Sequence, residues 1–239
     1  MNVLIACEES QEVCKAFRKR GHNAFSCDIQ PSSGGHPEWH IKGDCLFYLY
    51  PGITIDECDV KVRTHSFFTE DGKFHRIWGN WDLIIAHPPC TYLTTAATRA
   101  HSLKTYTREQ IAQRTRKRIS AMEFFMACIE ADCPRVVVEN PAGVMSACYR
   151  APDQTIHPWY FVDSVDDPDY CTKRTQLWLK GVEPLKYELT VPDPLDNAEK
   201  WSNGKNKNWT EKHQGSKVRS KTFKSIAEAM AKQWGGDIT

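Results

Sequence analysis

The strongest constraint on the fold is a set of short, wholly apolar runs separated by helix-length stretches. Val3-Leu4-Ile5-Ala6 holds four apolar residues in a row, two of them β-branched. That is the pattern of a strand buried on both faces, not of one with a solvent side. Residues 9–20 follow as a predicted helix, with Val13 and Phe17 on one face and Gly21 as a stop. Ala24-Phe25-Ser26-Cys27-Asp28 then reads as a second strand that ends on an acid. A strand–helix–strand opening of this kind belongs to a doubly wound nucleotide-binding fold.

Further buried strands are expected at 81–86, 135–139 and 176–179. Ile119, Met122, Met126 and Ile129 recur at spacings of three and four, which predicts an amphipathic helix over 108–131. A last helix carries Phe223, Ile226, Met230 and Trp234 on one face. Residues 30–80 contain turn signals (Gly34-Gly35, Pro51-Gly52, Asp71-Gly72) and no sustained period. The expected fold class is α/β, a doubly wound and mostly parallel sheet whose informative loops follow the carboxyl ends of strands.

At 239 residues the chain has room for one sizeable domain, and 41% hydrophobic with 26% charged residues is ordinary for a soluble protein. No run of about 18 apolar residues predicts a membrane span. The first residues lack the make-up of a secretory signal. None of the ten cysteines forms a C-x-x-C pair, so reduced thiols are expected rather than structural zinc or disulfides. A cytoplasmic location and no metal follow. Residues 200–224 hold eight Lys/Arg against the single acid Glu211, while the rest of the chain is net acidic. Such a segment fits a polyanion partner, and equally a solvated surface stretch.

Three strand ends carry reactive or polar groups. An acid closing the second strand of such a fold, here Asp28, accepts hydrogen bonds from ribose hydroxyls. Asp44, in Lys42-Gly43-Asp44, is available to the same nucleoside. In Pro88-Pro89-Cys90 two prolines fix φ, remove two backbone donors and push His87 away from helical geometry. The loop is therefore stiff, and a thiol presented by it is a candidate nucleophile. Alone, the tripeptide would read as a turn with a buried cysteine. Glu139-Asn140-Pro141 ends another buried strand, where desolvation is expected to raise the carboxyl pKa and suit it to proton donation.

Taken in order, Asp28, Gly43-Asp44, Pro88-Pro89-Cys90 and Glu139-Asn140-Pro141 resemble the DNA cytosine-5 methyltransferases, especially their short phage and prophage members. Thr172-Lys173-Arg174-Thr175-Gln176 is similar to their later Gln-x-Arg-x-Arg motif, with Arg174 in place of its first arginine. The resemblance covers residues 1–180 and the last helix. It implies a Rossmann-like, class I S-adenosylmethionine-dependent methyltransferase domain over 1–180 and 221–239. Residues 181–220 would be a small basic target-recognition segment.

By that resemblance a cytosine is flipped out of a DNA duplex, Cys90 adds to C6 and Glu139 contacts N3. Arg174 steadies the base or its phosphate, and Asn140 holds the active-site loop. S-adenosylmethionine, leaving as S-adenosylhomocysteine, is expected against Cys7, Glu8, Glu9, Asp28, Ile29, Asp44, Cys45 and Pro88. Either Glu8 or Glu9 would meet its amino group. Pro89, Thr91, Thr94, Lys173 and Gln176 are expected to face the DNA, with Trp201 and Trp209 stacking on bases. A monomer is expected, and a homodimer stays open.

The chain departs from the family pattern in four places. The first-strand loop, Ala6-Cys7-Glu8-Glu9-Ser10, has no glycine; Thr91 follows the nucleophile where glutamine is usual; Gln176 replaces the second arginine; and no Gly-Asn precedes the last helix. Two other functions stay open: an amino-methyltransferase acting on adenine N6 or cytosine N4, and a non-catalytic DNA-binding or anti-restriction protein. RNA or a free nucleotide is open as the substrate.

Overall fold

The apolar runs form the centre of one sheet. The structure is a computed structural model, and it describes residues 1–55, 58, 60–98, 105–195 and 221–236. Strand β1 (Asn2–Ala6) lies between β2 (Asn23–Asp28) and β7 (Leu83–Ala86), and β8 (Val136–Pro141) follows β7, all parallel. Residues 3–6, 83–86 and 136–138 have no solvent exposure, which is why these strands are apolar throughout instead of alternating. β3 (His40–Lys42) extends the β2 edge in parallel. At the other edge β10 (Thr175–Lys180) runs antiparallel to β8, and β9 (Gln154–Ile156) antiparallel to β10. The order is β3-β2-β1-β7-β8-β10-β9. The chain winds outward from β1 to β3 and then crosses to β7 on the other side of β1. In such sheets the crevice at that reversal, beyond the carboxyl ends of the strands, is where ligands bind.

Successive side chains serve opposite layers. Val3, Ile5, Leu83, Ile85 and Val137 pack under α1 (Glu12–Lys19) and α5 (Lys224–Met230), the latter prolonged by a π-helical turn, Ala231–Gly235. Burying Ile226 and Met230 there contributes about 1.5–3 kcal/mol per side chain. Leu4, Ala6, Ile84, Val136 and Val138 face α3 (Arg108–Ile129) and a second, antiparallel sheet of β4 (Gly52–Ile55), β5 (Lys61–Phe68) and β6 (Phe74–Trp78). Two short helices, α2 (Thr95–Thr98) and α4 (Met145–Cys148), follow β7 and β8. α3 begins on a reciprocal cap, Thr107 accepting from the Gln110 N–H while Gln110 accepts from the Thr107 N–H.

Several expectations shift. The first helix starts at Glu12, not at residue 9, because Gln11 sits in the left-handed region (φ 60°). Ile119, expected on the buried face of α3, is half exposed; Phe125, Cys128 and Ile129 form the buried stripe instead. The unplaced region 30–80 supplies β3 and the small sheet. Within 181–195, the first part of the segment expected to serve target recognition, Leu185 and Val191 are buried and pack against the main body. Tyr170 Oη donates to the Pro192 carbonyl (2.8 Å), and Lys173 Nζ donates to the Lys221 carbonyl (3.4 Å). Residues 196–220, with Trp201, Trp209 and most of the basic stretch, lie outside the described residues. Among the described residues no helix is long and apolar enough to cross a membrane.

Candidate active site

The loops leaving β7 and β8 are bonded to each other. Parallel register sets Ala86 beside Val138, so His87-Pro88-Pro89-Cys90 leaves β7 beside Glu139-Asn140-Pro141, the last three residues of β8. Asn140, fully enclosed, donates through Nδ2 to the Pro88 carbonyl at 2.8 Å. The Cys90 carbonyl accepts from Leu93 N (2.9 Å) and Thr94 N (3.1 Å), which curls the chain into a turn behind the thiol. Thr94 then bridges Gly143, Val144 N donates to the Leu93 carbonyl (2.8 Å) and Thr95 Oγ1 donates to the Ala142 carbonyl (3.0 Å). A Cβ on Gly143 would lie 2.1 Å from the Leu93 carbonyl oxygen, so only glycine admits this approach. Pro88 is buried, Cys90 and Thr94 are half-buried, and Pro89 and Thr91 are exposed.

Glu139 is bonded to a group the sequence did not single out. His87 Nδ1 lies 2.8 Å from Glu139 Oε2, with both side chains about nine-tenths buried. Burial pushes the Glu139 carboxyl up, as expected from sequence. The hydrogen bond and charge of His87, with the charge of Lys173, more than offset it, and the net direction is down. The expected raised carboxyl is thus corrected to a lowered one in this state. For His87, burial favours the neutral ring, but Glu139 and Glu8 outweigh it and its pKa is raised. The cation that acts on Glu139 is Lys173; Arg174 is exposed and its charge acts on His157. Gln176, expected to face substrate, is buried and accepts from Ser146 Oγ at 3.1 Å.

The carboxyl ends of β1 to β3 form the other half of the rim. Cys7 occupies the left-handed region (φ 61°), so the glycine-free loop makes the sharp turn with an L residue, at roughly 1–2 kcal/mol. Glu8 is 4% exposed and turned toward α1, where it accepts from Val13 N (2.6 Å) and Cys14 N (3.2 Å). It satisfies N–H groups that the helix leaves unpaired, in place of a side-chain N-cap. Burial nonetheless raises its pKa to about 7, against the opposing pull of His87 and the two N–H groups. Glu9 accepts from the Ser33 hydroxyl. Both acids expected at the cofactor's amino group therefore have bonds within the fold.

Asp28 and Asp44 each accept from a backbone N–H two residues on, Gln30 and Leu46. Beside them Ile29 is 73% and Phe47 79% exposed, large apolar surfaces flanking acids. Beneath, Cys7 Sγ and Cys45 Sγ are 3.6 Å apart. Of the clustered thiols Cys45 is the most acidic, because Cys128 and Cys7 both donate to it, and Cys7 is pushed up in return. Among the described residues no group of His, Cys, Asp and Glu is arranged to hold a metal ion.

Sequence reasoning missed His87, Gly143 and the Thr94–Thr95 contacts. His87 carried one usable signal: a histidine following a buried strand directly, opposite the residue that ends the next. Searched against protein-family models and against curated proteins, the chain matches none.

Proposed function

We propose that the chain methylates C5 of cytosine in DNA, with S-adenosylmethionine as the methyl source and Cys90 as a transient covalent nucleophile. The observation that carries this reading is the bonded pair of loops after β7 and β8. A thiol and a buried carboxyl stand there on segments that are bonded to each other, and the carboxyl is itself bonded to His87 of the thiol's loop. Fixed placement of this kind is what nucleophilic addition to an aromatic ring demands.

The Cys90 thiolate adds to C6, and the C5–C6 π electrons shift through the ring as N3 takes a proton or strong hydrogen bond from Glu139. C5, now nucleophilic, accepts a methyl group. A base then removes the C5 proton, the electrons restore the C5–C6 double bond and the Cys90 sulfur leaves. The cofactor supplies an electrophilic methyl group when bound. Its adenosine end fits the rim at β2 and β3: Asp28 toward the ribose, Asp44 toward the base, and the apolar surfaces of Ile29 and Phe47 beside the ring. Lys173, half-buried beside Glu139, is the cation for the target nucleotide or its phosphate.

An oligonucleotide containing 5-fluorocytosine tests the reading, since fluorine at C5 cannot leave as a proton and the adduct persists. With S-adenosylmethionine present, a covalent complex mapping to Cys90 is expected, and Cys90→Ala forms none. Methyl transfer from labelled cofactor that survives in Cys90→Ser, with no adduct, would replace this reading by amino-methylation.

A further inference from the structure

One enclosed side chain has no part in this chemistry so far: His87. It follows β7 directly, and register alone brings it opposite Glu139. Its Nδ1 bonds Glu139 Oε2, while its Nε2 is buried with no hydrogen-bond partner among the described residues. The charges acting on the ring come from three elements: Glu139 at the end of β8, Glu8 after β1 and Lys173 before β10. A carboxyl that must serve a pyrimidine nitrogen has two equivalent oxygens and a free torsion, and one firm bond removes both ambiguities.

We propose that His87 is the positioning residue for Glu139, its Nδ1–H holding Oε2 so that Oε1 alone is presented to N3 of the base. This rests on the cytosine reading above. The two side chains then take up and release protons as one unit. With imidazolium and carboxylate, Glu139 has no proton to give, and the Nε2–H is buried without an acceptor. With imidazole neutral and protonated on Nδ1, and a carboxylic acid protonated on Oε1, N3 receives its donor and Nε2 no longer carries a proton without an acceptor. Both forms hold the same number of protons and the same net charge. Going from the first form to the second removes the Nε2 proton and places one on Oε1, a transfer by way of solvent before the base closes over the pair, since Nδ1–H stays bonded to Oε2 throughout.

Three variants test this. His87→Ala removes the donor, and its kcat is expected to fall on the order of 100-fold with KM nearly unchanged. His87→Asn keeps an N–H near the Nδ1 position without the charge and should recover most of that loss. In wild type the limb of kcat that falls with increasing pH belongs to the pair, whereas in His87→Asn it belongs to the Glu139 carboxyl alone, so that limb should move between the two proteins. A purely structural His87 would lower kcat in both variants with no movement of that limb, which overturns the proposal. Independently of turnover, the His87 ring can be titrated by NMR in the full chain and in Glu139→Gln. Its pKa should fall in the variant, and an unchanged titration overturns the coupling. If no cytosine is methylated at all, the cytosine reading fails; the titration still decides whether the two groups form one unit.

Discussion

Two pairs of strand ends meet at the rim, and they solve the same problem in opposite ways. The loops after β7 and β8 are joined to one another, Asn140 to Pro88 and Gly143 to Thr94. Bonds run across the pair, and the thiol and carboxyl are carried on a shared frame. The loop after β1 is tied to its own helix and to β2 with the connection that follows it: Glu8 caps α1, Glu9 accepts from Ser33, and Gln11 bonds Ser26 Oγ and the His36 backbone. The first arrangement fixes side chains for chemistry. The second holds a sharp backbone turn in place without glycine. Acids near a binding crevice can therefore belong to the fold and not to the ligand.

That contrast breaks most readily at Gly143. Gly143→Ala forces the Leu93 carbonyl aside, and a loss of about 3 kcal/mol is expected, read from the denaturant midpoint at unchanged m-value. A midpoint within error of wild type would show the two loops to be independent.

Glu8 tests the other side. Its folded pKa of about 7 exceeds the ordinary 4.5, so the folded chain holds this proton more tightly than the unfolded one. The stability it contributes is greatest below pH 4.5 and declines as the pH rises through 7, by up to about 3 kcal/mol. Glu8→Gln should gain on wild type across that window, followed as stability against pH. Parallel profiles for the two proteins would remove Glu8 from the account. The smallest effect is expected at Cys7. Cys7→Gly relieves the left-handed turn but discards a partly buried thiol, for a net gain below about 1 kcal/mol in thermal unfolding. A clear loss would mean that the Cys7–Cys45 contact outweighs the backbone strain.

The central strands were legible because burial on both faces leaves nothing but apolar residues, a signal four residues long and free of context. The small sheet was not: Phe68, Phe74 and Trp78 point outward while His65, Phe67 and Ile77 point inward, so apolar residues stand on both faces and no clean alternation shows. At the site, Cys90 and Glu139 stood out by residue type and local motif. His87 did not, since its partner lies 52 positions away and only the register of two parallel strands joins them. Gly143 was silent for the same reason, its requirement set by a carbonyl on another loop. Glu8 and Glu9 were ambiguous in the sequence because helix capping and ligand binding ask for the same residue types in the same place.

The reversed direction of β10 has a last consequence. Just before that strand, Tyr170 grips Pro192 and Lys173 grips Lys221, so one four-residue stretch moors the chain close to both flanks of residues 196–220. Two points 29 residues apart in sequence, Pro192 and Lys221, are thereby held by residues only three apart, Tyr170 and Lys173.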